Sequence, residues 1–569
     1  MTDNPFFETW TTPFNLPPFD RIRPEHFPPA FDRGMTEQRA EITAITGAGA
    51  APSFANTIEA LERSGRMLDR VSRVFFNLDA SDTNEALQAI ARDYAPKLAQ
   101  HRMLIALDEG LFRRIAELYA RREMLGLATD QLRLLERYHL RLVRSGALLG
   151  PEQKARMAAI AERLAVLHTL FGQNVLEDER EWQLVLDETD LAGLPDFARA
   201  AAAAAAKERG VDGHWVITLA RSSVEPFLTF SARRDLRQAA WEGWTARGTN
   251  QGPRDNAPLI REIMALRAEQ ARLLGYENFA AYRLDDSMAK TAAAVERLLL
   301  QVWEPAKLKA GDERAKLESL ARAEGLNEPI EPWDWRYYAE KVRRAEYDLD
   351  EAELKPYFGL DNMVAAAFDT AHRLFGVTFT ARTDLPAYHP DVRVWEVRDS
   401  AGDHVGLFLH DNFSRPGKRS GAWMSRYRNQ ENLDGAVAPI IVNNNNFAKA
   451  EPTLLSFDDA KTLFHEFGHG LHGLLSRVRY RSQSGTSVSQ DFVEFPSQIF
   501  EHWMSAPDTL RRYACHYRTG EPIPEELLRR LLAARSFNQG CATVEYTGSA
   551  LLDLELHRNP APEALDVAR

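Results

Sequence analysis

Cysteine is nearly absent from this chain: its 569 residues include only Cys515 and Cys541. Two cysteines build neither a disulfide framework nor a cysteine-rich zinc module, and the expectation is a reducing compartment. Long apolar runs are missing too. No stretch reaches the roughly 18 consecutive apolar residues of a membrane span, and Met1 to Phe7 hold no cationic stretch leading into an apolar one. A cytoplasmic protein with no membrane contact is expected. Positive charge is in deficit, since 70 Lys and Arg against 82 Asp and Glu give a net charge of −12. Nucleic acid is thereby excluded as a partner, because neutralising phosphates needs clustered cations. Wholesale disorder is excluded as well, since 44% hydrophobic and 27% charged residues are ordinary globular usage.

What is present is mostly helical periodicity. The first 40 or so residues are proline-rich and predict an extended arm laid over the body. After Pro151, the residues Met157, Ile160, Leu164, Leu167 and Phe171 recur at three- and four-residue steps, which places one apolar stripe on a helix. Similar patterns cover 57–75, 84–106, 111–145 and 292–325, and Ala200 to Ala206 reads as an alanine-rich helix closed by Gly210. We expect an N-terminal helical domain over 1–230 and a second domain over 231–569. Near Asp391 the pattern changes to alternation: Val392, Val394 and Val397, a turn at Asp399 to Asp403, then Val405 to Leu409 predict a hairpin. A third segment, Ala436 to Val442, contains Pro439 and is expected as an edge strand, either one on which an extended peptide could pair or a covered edge of a small structural sheet.

The chemistry lies at 465–469, His-Glu-Phe-Gly-His, an H-E-x-x-H pattern. Ser456 followed by Asp459 is a capping signature, and no proline interrupts the chain from there to Leu475, so the pattern sits on a helix. At about 100° per residue the two histidines lie about 40° apart, one turn above the other, and can share one ion. Phe464, Phe467, Leu471, Leu474 and Leu475 fall on the far side, towards the core. Gly470 and Gly473 lie beside Glu466 and are expected to leave an open slot for a substrate backbone. His472 points to the same side but a turn beyond the pair, as packing or support. A hydrolytic zinc site takes three protein ligands and keeps one position for water. A metzincin would need Gly at 472 and His at 475, where this chain has His472 and Leu475. That leaves a downstream carboxylate, with Asp491, Glu494 and Glu501 recurring on one helical face and Glu494 only slightly favoured by spacing.

The stretches Phe464-His465-Glu466-Phe467-Gly468-His469, Ser484-Gly485-Thr486 and Asp491-Phe492-Val493-Glu494-Phe495-Pro496-Ser497-Gln498 resemble the signature of the thimet-oligopeptidase family of zinc peptidases. Asn4-Pro5-Phe6-Phe7, Pro332-Trp333-Asp334-Trp335, Lys418 through Met424 and Ser536 through Gly540 are similar to its bacterial peptidyl-dipeptidase branch, so the resemblance runs nearly end to end. It implies one zinc ion per chain on His465, His469 and Glu494, with Glu466 as general base. The implied fold is mainly α, a large two-lobed helical zincin of the neurolysin kind, with a small β-sheet beside the catalytic helix and a deep central channel. The implied activity is release of C-terminal dipeptides from short peptides by a monomeric enzyme. An endo-acting oligopeptidase and a non-catalytic peptide-binding protein are the alternatives. Members of the family continue past the equivalent of Leu551-Leu552-Asp553 into a segment with a histidine and a glycine- and tyrosine-rich loop. Tyr546 and His557 do not match that pattern, and the expectation is a C-terminally truncated chain with impaired turnover.

Overall fold

The computed structural model describes residues 4–249, 252–559 and 562. The arm is shorter than its composition predicts. Short 3₁₀ turns at Pro5–Phe7, Pro13–Asn15 and Pro24–His26 lead directly into α1 (Phe27–Thr46). Pro28 falls in the first turn of that helix, where a missing N–H removes no helical hydrogen bond. Side chains rather than ladders hold the arm down: Phe6, Leu16, Phe19 and Ile22 are buried in one cluster with Phe27, Phe31 and Phe75.

The periodic segments form helices, interrupted where glycine takes a left-handed backbone. The pattern over 57–75 breaks at Gly65 (φ 70°), after which α2 (Arg66–Ser81) begins. The pattern over 111–145 breaks around Gly126 (φ 63°) into Glu109–Ala120 and Thr129–Arg144. In α3 (Pro151–Glu181) the expected stripe buries Met157, Ile160, Leu164 and Leu167, while Phe171 stays partly exposed. The ribbon β1 (Leu184–Leu186) and β2 (Trp215–Ile217) follows. One hydrophobic cluster packs Phe227 and Leu228 with Ala240, so the core is continuous across 230/231. Among the described residues no helix is long and apolar enough to cross a membrane.

The helix α4 (Leu360–Phe375) precedes a five-stranded sheet made of β3 (Thr378–Ala381), β4 (Arg393–Arg398), β5 (His404–Phe413), β6 (Trp423–Arg428) and β7 (Ile440–Phe447). Their spatial order is β3-β4-β5-β7-β6. The expected hairpin is the antiparallel pair β4/β5. The expected edge strand is not at the edge: β7 begins after Pro439 and lies inside the sheet, parallel to β5 and antiparallel to β6. Because the strand starts one residue later, the missing N–H of Pro439 falls outside it, and β6 takes the edge. Alternation then divides the two faces. Leu407, Leu409, Ile440 and Val442 pack against the arm and α2, whereas Phe408 and Ile441 join the core around the histidine-bearing helix.

That helix is α5 (Phe457–Leu474), and α6 (Phe495–Met504) packs beside it. The Ser456 hydroxyl accepts the Asp459 N–H at 2.9 Å while the Asp459 carboxylate accepts the Ser456 N–H at 3.0 Å, the reciprocal box that fixes the start of α5. Phe464, Phe467, Leu471 and Leu474 are buried as expected. The glycines do something else than predicted. A β-carbon on Gly468 would lie 2.7 Å from Ser497 Cα, and one on Gly473 would lie 2.6 Å from Ile441 Cδ1. Gly470 faces Asn443 and Phe408. These positions let α6 and β7 approach the helix closely, so the slot expected at Gly470 and Gly473 is filled by the sheet.

Candidate active site

Three donors from two elements converge at the exposed flank of α5. His465 Nε2 and His469 Nε2 each lie 3.1 Å from Glu494 Oε2. The imidazole rings are 5.1 Å apart at 84° to one another, as expected of i and i+4 on a helix. Glu494 is the residue immediately before α6, with its carboxylate also 3.1 Å from the Ser497 hydroxyl. The ligand atoms of His465, His469 and Glu494 all lie within 4.8 Å of one another, and they are the metal-competent group found among the described residues. Two imidazoles and a carboxylate suit zinc, whose bonds of about 2.0–2.2 Å at tetrahedral angles put donors roughly 3.3 Å apart. The two histidine-to-Glu494 spacings of 3.1 Å are near that value before any adjustment.

Around this group the electrostatics are arranged by burial and by a further carboxylate. Glu466 is only 6% exposed, and its Oε2 has no partner among the described residues. Burial, with Glu494 adding to it, pushes the Glu466 carboxyl up to about 7 against the opposing pull of His465. Glu501, on α6, accepts from His465 Nδ1 at 3.2 Å and from Lys461 Nζ at 3.1 Å. Burial disfavours the His465 imidazolium, but the Glu501 bond and the carboxylates of Glu466 and Glu494 outweigh it and hold the group above its ordinary value. His469, without such a partner on Nδ1, is held below its ordinary value by burial. Such a site can bind a cation on two neutral imidazoles and one carboxylate while keeping a buried basic carboxylate beside it.

The three carboxylates read from spacing have three different places. Asp491 lies before α6 and accepts the N–H groups of Met288 and Ala289, both at 2.9 Å, so it ties a distant loop rather than joining the histidines. Glu494 joins them, and Glu501 stands behind His465. That supporting contact was invisible in the sequence because i+7 spacing places Glu501 on the same face as Glu494 without fixing which atom it meets. His472 Nδ1 is buried without a partner among the described residues and stays outside the group. Tyr546 is exposed, and His557 is engaged by Asp553 and Arg267.

A model of peptidase family M3 matches residues 227–568. The chain is 41% identical over 570 residues to the dipeptidyl carboxypeptidase of Escherichia coli (strain K12), a match that covers 99% of this chain and 83% of that protein. It is 41% identical over 562 residues to the dipeptidyl carboxypeptidase of Salmonella typhimurium, covering 98% and 82%. Oligopeptidase A of Salmonella typhimurium is 34% identical over 563 residues, covering 97% and 83%.

Proposed function

The chain belongs to peptidase family M3, and from that premise we propose that it is a zinc-dependent peptidase that releases dipeptides from the C-termini of short peptides. In this reading His465, His469 and Glu494 hold one zinc ion per chain, and the catalytic half is residues 231–569. When bound, the metal supplies Lewis acidity to the scissile carbonyl and to a water. The rest is done by side chains. Glu466 takes a proton from the attacking water and returns it to the leaving amine, a role suited to a carboxylate whose burial has raised its basicity to about 7. Glu501 holds His465 on its Nδ1 side, which leaves Nε2 as the free donor. The two free cysteines, Cys515 and Cys541, accord with a cytoplasmic setting.

The observation that carries the proposal is the convergence of His465 Nε2 and His469 Nε2 on one Glu494 oxygen, with Glu466 between them on the same helix. Glu466→Gln tests it: the variant is expected to keep one zinc per chain by elemental analysis and to lose nearly all hydrolysis. Full turnover in the zinc-loaded variant would overturn the assignment. The dipeptide-releasing mode is supported by the named activity of the 41% identical relatives. It is read by comparing free-acid and C-terminally amidated peptides, and equal cleavage of both would favour the endo-acting mode.

A further inference from the structure

The edge strand β6 and helix α2 flank an open groove of about 410 Å³, lined by Asp69, Arg73, Phe76, Asn77, Met424 and Arg426 among others. Its charges do not balance. Asp69 is already taken by Arg73, whose Nε lies 2.8 Å from its carboxylate. Arg426 has only a hydroxyl: its Nη1 donates to Thr486 Oγ1 at 2.6 Å, and no carboxylate pairs with it among the described residues. Burial pulls the Arg426 guanidinium down to about 10, with Arg73 adding to the effect and Asp69 opposing it, so the group is charged at neutral pH yet poorly compensated.

The place of this cation is fixed by packing. Thr486 follows Gly485, where a β-carbon would lie 3.1 Å from Gly473 Cα, and Gly473 is one helical turn beyond His469 on α5. On the sheet side Arg426 is in register with Ile441, whose Cδ1 meets the same Gly473. Gly473 thus joins the helix that carries the histidines to both the strand position and the loop that hold Arg426. Asn77 Nδ2 holds the Arg426 carbonyl at 3.1 Å, which ties this strand position to α2.

We propose that Arg426, held by Thr486 in the groove between α2 and β6, recognises a carboxylate of the bound peptide and so determines which peptides this enzyme prefers. The inference rests on the peptidase reading for the identity of its ligand, but its test does not depend on turnover. Binding is measured by calorimetry on zinc-loaded Glu466→Gln protein, using matched short peptides: free C-terminal acid against amide in one arm, and Glu against Gln at each position flanking the cut in the other. A charge-assisted pair predicts about tenfold or greater tighter binding of the carboxylate member. The preference should collapse when Arg426→Gln is added and largely persist with Arg426→Lys, with zinc content and melting temperature reporting that each variant is folded. A preference confined to the first arm assigns the terminal carboxylate as ligand, and one confined to the second assigns an acidic side chain. Equal dissociation constants for every charged and neutral pair in the Glu466→Gln protein would overturn the proposal, as would a preference that survives Arg426→Gln. Absence of hydrolysis by the wild-type chain would count against the peptidase reading alone.

Discussion

Glu501 divides its two oxygens between Lys461 and His465, and that division matters more than its distance from the histidines suggests. A carboxylate on Nδ1 fixes the imidazole tautomer and leaves Nε2 free to bind a metal. Glu501→Gln is therefore expected to weaken zinc affinity about 10–100-fold in chelator competition while far-UV dichroism stays unchanged. Affinity within twofold of wild type would remove Glu501 from the site. Glu494→Ala should weaken the metal further, because it deletes one of three donors. His410 carries a different prediction. It is 2% exposed, its Nδ1 has no partner among the described residues, and burial pulls it down to about 3. Unfolded, the group titrates near 6.5. Between these values the unfolded chain binds more protons, so stability falls as pH drops from about 6.5 towards 3, by at most about 1.4 kcal/mol per pH unit for this group. Asp79, pushed up to about 6 by burial, works in the opposite sense over part of that range. His410→Asn should reduce the acid-side slope of unfolding free energy by about one proton, and an unchanged slope would show that the buried imidazole already protonates in the native state.

Among the elements, α5 was the most legible in the sequence, because its capping box, its apolar stripe and its histidine pair are all local signals. The sheet was legible only in part. The turn at Asp399 to Asp403 announced β4 and β5, but nothing near Pro439 could announce that a parallel partner, more than thirty residues earlier, would enclose β7 on one side and β6 on the other. The same limit applies to the glycines of α5. Their lack of a side chain is plain in the sequence, but whether the space admits a ligand or another element depends on what packs there. Contact type ranks the consequences. A β-carbon on Gly468 would meet backbone, Ser497 Cα at 2.7 Å, whereas one on Gly470 would first meet the end of a side chain, Asn443 Oδ1 at 3.2 Å. Gly468→Ala is expected to lower stability by about 1–3 kcal/mol and to weaken zinc, because it pushes α6 and Glu494 away from α5. Gly470→Ala should cost less than half as much in the same denaturant titration. The reverse order would mean that α5 and α6 slide past each other freely.

At the scale of the whole molecule, the N-terminal helices grip the loops that leave the sheet and α5. Arg66 pairs with Glu431 at 2.6 Å, Arg63 with Asp434 at 2.8 Å, and Arg479 with Glu59 at 3.0 Å. Buried Glu62 accepts from Tyr138 and, at 2.6 Å, from the Ser482 hydroxyl. Glu62→Ala leaves both hydroxyls without that acceptor and is expected to cost about 3 kcal/mol of unfolding free energy. A loss below about 0.5 kcal/mol would show that water replaces the carboxylate there. The arm joins the same assembly from the other end of the chain: Phe6, Leu16, Phe19 and Ile22 share one buried cluster with Leu407, Leu409, Ile440 and Val442. On a ribosome adding about 5–20 residues per second, the arm emerges roughly 20–80 s before the strands that cover it. For that interval Phe19, which packs edge-on against Tyr388 and Tyr427, has neither ring to cover it and offers neighbouring chains on one message an adhesive spot.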